Sequence, residues 1–130
     1  MMHLFNLRVY YEDTDLAGIV YYANYLKFIE RARSEWVRDL GIDQTALKRD
    51  ADIVFAVRRV EADFLTPALF DDELTVRTTC TELTGARLHL DQTVLRSETV
   101  LFDAKVVLVC LSERGAPKRL PAEIRQLVTQ

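Results

Sequence analysis

The sequence predicts an α+β fold, with one long amphipathic helix set against an antiparallel five-stranded sheet. Three observations predict it. Between Tyr22 and Leu40 apolar side chains recur at helical spacing. From Ile53 onward the period changes to two. The period-two segments are then joined mostly by short turns, and the resulting order, strand, helix and four strands, is that of a sheet packed on one helix.

The first strand is read over residues 4–11, LFNLRVYY, which alternate loosely. Three acids follow within four positions, Glu12, Asp13 and Asp15, before Ala17-Gly18 breaks the chain. At about 100° per residue, Tyr22, Tyr25, Leu26, Ile29, Ala32, Trp36, Val37 and Leu40 fall within roughly 140° of arc. Lys27, Arg31, Ser34 and Arg38 lie opposite. Phe28 falls toward the polar side and Arg33 inside the apolar stripe. Gly41 is the expected stop, because glycine accepts the left-handed conformation that ends helices. Residues 42–50 suggest a short helical turn.

Ile53, Phe55 and Val57 share one parity, whereas Val60, Ala62 and Phe64 share the other. One extra residue at Arg58-Arg59 would return both triplets to one face, so a bulge is expected there. Residues 66–72 connect to a strand at 74–83. Thr84-Gly85 turns into 88–96, and residues 96–99 turn into a last strand at 100–111. Its continuous apolar run, Val106 to Leu111, is that of a strand covered on both faces. Pro121 opens a terminal helix to Val128. One helix cannot cover both faces of such a sheet, and its edges stay open, so a symmetric homo-oligomer is expected.

The composition sets bounds. At 130 residues with 49% apolar and 28% charged side chains, the chain suits one globular domain, residues 1–130. A net charge of −3 gives no basic footprint for nucleic acid. Cys80 and Cys110 lie in strand-like segments without metal-ligand spacing and read as buried free thiols, which suits a reducing cytosol. The MMHLFNL start is too short and polar for a signal peptide, and no window approaches the roughly 20 apolar residues of a membrane span. A cytoplasmic protein is expected.

The acidic loop carries the chemistry. A calcium loop fails on spacing: after Asp13 and Asp15, Ala17 occupies the third ligand position, and Asn24 stands where the closing glutamate belongs. No metal site is expected. One carboxylate suffices as nucleophile or as general base on water. Asp15 is the best placed, nearest Gly18 and the helix entrance, where unpaired N–H groups could hold an oxyanion. His3 and His89 lie off this loop and read as structural. Arg33 is read as reaching solvent or pairing with an acid. Trp36 and the tyrosines at helical spacing are read as core.

The pattern R-V-x4-T-D-x2-G-I-V, running from Arg8-Val9 through Thr14-Asp15 to Gly18-Ile19-Val20, resembles the signature of the 4-hydroxybenzoyl-CoA thioesterase family. The longer string YYEDTD…GIVYYANYLKFIERAR resembles the acyl-CoA thioesterases associated with the Tol–Pal cell-envelope system. The resemblance spans nearly the whole chain and implies a hot-dog fold, a sheet wrapped around one central helix. It implies hydrolysis of an acyl-CoA thioester without a metal or redox cofactor, coenzyme A being part of the substrate; an acyl carrier protein is the other candidate donor. Asp15 matches the catalytic aspartate, and Tyr22 the position whose backbone N–H polarises the thioester carbonyl. Relatives in the Tol–Pal branch often carry histidine where this chain has Tyr22. The absence of a histidine near the loop also sets it apart from hot-dog dehydratases. Arg58, Arg59 and Arg87 are candidates for the coenzyme A phosphates, since guanidinium matches phosphate geometry. A homodimer or homotetramer is expected. The rival expectation is a non-catalytic acyl-carrier or envelope-complex partner of the same fold.

Overall fold

The computed structural model describes residues 2–129. Its elements are β1 (Met2–Arg8), a 3-10 turn (Tyr11–Asp13), α1 (Asn24–Asp39), α2 (Gln44–Ala51), β2 (Val54–Phe64), β3 (Glu73–Leu83), β4 (Arg87–Arg96), β5 (Thr99–Leu111) and α3 (Ala122–Thr129). The five strands form one antiparallel sheet in the order β1-β3-β4-β5-β2. Helix α1 packs over β1, β3 and β4.

The first strand starts earlier and stops sooner than its alternation suggests. Tyr10 and Tyr11 leave the sheet because the Asp13 carboxylate accepts the Tyr10 N–H at 2.8 Å, curling the chain into the 3-10 turn. A local side-chain acceptor thus outcompetes the ladder.

In α1 the buried side chains are Tyr25, Phe28, Ile29, Ala32, Trp36 and Val37. Burying each large one contributes about 1.5–3 kcal/mol. The expected stripe is rotated at its start: Phe28 is fully buried whereas Leu26 is exposed. The helix sits toward β1, so Phe28 faces the sheet and Leu26 faces the open β2 side.

The bulge is found where the change of parity places it. Val57 pairs Leu108 and Arg59 pairs Val107, leaving Arg58 as the extra residue. Phe55, Val57, Val60, Ala62 and Phe64 therefore all share the face that carries Leu108, Val106, Ala104 and Phe102 of β5. Along β5, Val107 and Val109 lie on the other face and are only half-buried, so the apolar run does not mark two covered faces. That outer face is largely polar: Lys105 Nζ donates to Asp91 at 3.0 Å, and the Thr93 hydroxyl donates to Asp103 at 3.0 Å.

The short helix α2 begins with Asp43 accepting the Ala46 N–H at 3.0 Å and ends at left-handed Asp52. Cys110 is buried and Cys80 half-buried, and neither forms a disulfide. Burial pushes the Cys110 thiol up to about 11, which keeps it unreactive at neutral pH.

Arg33 reaches neither solvent nor an acid. Its Nη1 donates to Gln92 Oε1 at 3.0 Å, and Gln92 is fully buried at a core position of β4. The same amide's Nε2 donates to the Ile29 carbonyl at 3.0 Å and the Thr78 hydroxyl at 2.9 Å. One side chain thus ties α1 to β3 and β4. Burial lowers the Arg33 pKa, with Glu30 opposing. Gln92→Ala strands this guanidinium without its acceptor, and should cost about 2–4 kcal/mol in urea unfolding. A loss below about 0.5 kcal/mol would show that the network does not hold the helix.

Candidate active site

Residues 13–24 build the site by folding back on themselves. The Asp13 carbonyl accepts two hydrogen bonds, from the Tyr21 N–H at 2.9 Å and from Asn24 Nδ2 at 2.9 Å. Asp13 is 7% exposed, so it is the acid that fixes the loop and not a solvated one. Between these anchors Thr14 pairs Val20, the Asp15 N–H donates to the Ile19 carbonyl at 3.0 Å, and the Gly18 N–H donates to the Asp15 carbonyl at 3.0 Å. Gly18 closes this hairpin at φ +78°, a conformation that a side chain would strain.

Asp15 stands exposed on the hairpin. Its Oδ1 accepts the Ala17 N–H at 2.9 Å, which orients the carboxylate, and Oδ2 has no protein donor among the described residues. The chain then reaches the helix. The Val20 N–H donates to the Ala68 carbonyl at 2.9 Å, and Ile19 pairs Leu69, stitching the loop to the segment that follows β2.

Tyr22 lies one turn before α1 and not in its first turn. The Tyr21, Tyr22 and Ala23 carbonyls accept from the Asn24, Tyr25 and Leu26 N–H groups as the helix starts. Among the described residues, the N–H groups of Tyr22 and Ala23 meet no protein acceptor. They are free donors at the positive end of the helix dipole. The Tyr22 ring is 61% exposed and meets Phe64 edge-on, with centroids 6.1 Å apart. Ala23 was not singled out by sequence pattern, since a backbone donor leaves no side-chain signature.

Beside these donors is a mainly apolar cavity of about 170 Å³. Ile19, Val20 and Tyr22 line it from the loop, and Phe64, Thr66 and Pro67 from the end of β2. Tyr25 forms part of its wall and stacks on Phe102 at 4.9 Å. The wall is held from behind by Arg96, whose Nη1 donates to Asp72 at 2.7 Å and to the Pro67 carbonyl at 3.3 Å. Asp72 in turn accepts the Leu69 N–H at 2.8 Å.

The three arginines are placed elsewhere. Arg96, at the far end of β4, joins the Asp15 side of the sheet through Asp72, whereas Arg87 begins that strand. Nine residues of strand put Arg87 roughly 30 Å from the loop end. Arg58 is the extra residue of the β2 bulge, and Arg59 pairs with Glu61 at 3.5 Å. Within one chain none of them joins Asp15 and Tyr22. The histidines are also apart: His3 Nε2 meets Asp39 at 2.7 Å and His89 lies on β4. Among the described residues no group of three His, Cys, Asp or Glu is arranged to hold a metal ion.

The sequence pattern of the thioesterase superfamily matches residues 17–102, two thirds of the chain. The chain belongs to the thioesterase superfamily. This thioesterase is 39% identical over 126 residues to the acyl-CoA thioester hydrolase YbgC of Escherichia coli, covering 92% of the chain and 93% of that protein. It is 38% identical to the acyl-CoA thioesterase YbgC of Haemophilus influenzae, covering 93% and 90%. A probable thioesterase from Bartonella henselae superposes with a TM-score of 0.89 at 43% identity, over 93% of this chain and all of that one. A 4-hydroxybenzoyl-CoA thioesterase complexed with 4-hydroxybenzoyl-CoA superposes at 0.92 over 98% and 99% of the two chains, at 22% identity, and shares the fold. The sheet wrapped on α1 is the hot-dog fold, and the chain is a thioester hydrolase.

Proposed function

We propose that this thioesterase hydrolyses an acyl-CoA to the free acid and coenzyme A, with Asp15 as the acting carboxylate. The observation that carries the reading is the hairpin that presents Asp15 ahead of the free Tyr22 and Ala23 N–H groups and an apolar cavity. The acyl group enters the cavity and its thioester carbonyl points at the two amides. Asp15 either takes a proton from water, so that hydroxide adds to the carbonyl carbon, or adds directly to give an anhydride that water then opens. On both routes the carbonyl oxygen becomes an oxyanion stabilised by pre-aimed backbone donors. Collapse breaks the C–S bond, and the coenzyme A thiolate leaves and takes a proton. The relatives named above as acyl-CoA hydrolases support the choice of thioester; chain length and an acyl carrier protein as donor are open to the same assay. The reaction is placed in the cytoplasm, where the two free thiols stay reduced.

The working unit we propose is a homodimer or a dimer of dimers. Val57, Val60 and Phe64 lie on the core side of edge strand β2 yet are exposed, as is Leu26 facing them from α1. A second copy laid along β2 would bury this stripe and close the sheet edge. It would also bring a second set of arginines to the site, the route by which Arg58, Arg59 or Arg87 could meet the substrate's phosphates. Light scattering at micromolar concentration should give a dimer or larger; a stable monomer would contradict the arrangement.

Asp15→Asn separates chemistry from folding, because an amide oxygen can still accept the Ala17 N–H. It should lower kcat by at least roughly 10²–10⁴-fold with little change in substrate affinity and in thermal stability. Near-normal turnover would remove Asp15 from the mechanism. A wild-type protein without turnover on any acyl-CoA would favour the rival role as an acyl carrier or Tol–Pal envelope partner.

A further inference from the structure

The Tyr25 side chain is 4% exposed, yet its hydroxyl is only half used. The phenol oxygen accepts the Ala68 N–H at 3.1 Å. A tyrosine hydroxyl also carries a hydrogen to donate, and among the described residues that hydrogen meets no acceptor. The ring cannot turn away to find one. It stacks on Phe102 within 6° of parallel and meets Phe64 and Phe28 edge-on at 5.7 and 5.9 Å. Burial raises its pKa, so the hydroxyl keeps its proton.

The hydroxyl end lies at the cavity wall. Ala68, which meets the oxygen, directly follows Thr66 and Pro67, and both line the same cavity as Tyr25. An otherwise apolar space with a fixed, unspent donor is a poor match for a saturated hydrocarbon chain, since a buried donor left unpaired costs free energy. It matches a chain that brings an acceptor to that point.

We propose that the Tyr25 hydroxyl is a specificity-determining donor, selecting thioesters whose acyl group carries a keto or hydroxyl oxygen a few bonds beyond the thioester carbonyl. This rests on acyl-CoA hydrolysis at Asp15, and the cavity volume confines it to short acyl groups.

The test compares pentanoyl-CoA with 4-oxopentanoyl-CoA, which differ by one carbonyl acceptor too remote to conjugate with the thioester. Wild-type kcat/KM should favour the 4-oxo ester roughly three- to tenfold, the value of one hydrogen bond. In Tyr25→Phe the ratio should fall to about one. That variant also deprives the Ala68 N–H of its acceptor, but such damage acts on both esters alike and cancels in the ratio. Thr66→Val, which removes the other hydroxyl on the cavity, should leave the preference intact. A wild-type ratio of one or less overturns the proposal, and so does a preference that survives Tyr25→Phe or vanishes in Thr66→Val. Should Tyr25→Phe fail to fold, the wild-type and Thr66→Val ratios still decide. Hydrolysis of both esters at equal rates sinks only the selectivity, whereas hydrolysis of neither sinks the acyl-CoA reading beneath it.

Discussion

The Asp13 carbonyl is the constraint on which the site depends. Accepting both the Tyr21 N–H and the Asn24 side chain, it forces residues 14–20 into a closed hairpin. Asp15 is thereby carried on a rigid turn and the chain re-enters at the helix, where Asn24 is already committed. The free Tyr22 and Ala23 amides follow from the same bonds. Because Asn24 spends its amide on Asp13, no side chain of the turn competes for the orphan donors. A carboxylate and an oxyanion site are thus set by backbone geometry, which suits a reaction needing charge stabilisation at a fixed point.

A second constraint holds the helix in place over the sheet. Burying Arg33 is tolerable only because Gln92 offers an uncharged acceptor while its amide nitrogen is spent on Ile29 and Thr78. Every polar atom of that amide is used, so the network adds orientation where apolar packing alone is nondirectional. The aromatic group of Tyr25, Phe64 and Phe102 then sets the cavity at the helix entrance. Helix position and cavity shape are therefore linked through α1.

Much of this was legible in the sequence. The change of parity at Arg58-Arg59 located the bulge, and Gly41, the turn at Thr84-Gly85 and Pro121 punctuate the chain as read. Asp15 stood out because its loop leads into a helix. What stayed hidden has physical causes. The end of β1 turns on a side-chain acceptor three residues downstream, which alternation does not register. Leu26 and Phe28 exchange roles because a helical wheel knows the face but not where the helix sits over the sheet. Arg33 in the apolar stripe and Gln92 among Leu88, Leu90 and Val94 were two visible anomalies, and they explain one another only once α1 and β4 are brought together. The distance between Arg87 and Asp15 is likewise a fact of strand length and sheet order. The Tyr25 hydroxyl shows no signal in sequence, because a core tyrosine with both hydrogen-bonding roles filled reads the same.

The central claim is that the thioester oxygen is held by the backbone before the helix. The direct measurement is an amide NMR titration of ¹⁵N-labelled Asp15→Asn protein with a slowly turned-over acyl-CoA. If the account is right, the Tyr22 and Ala23 amide resonances move further than those of any other residue in α1, toward the positions of stronger hydrogen bonds. Tyr22 and Ala23 resonances that stay fixed while the substrate binds elsewhere on the protein would contradict it.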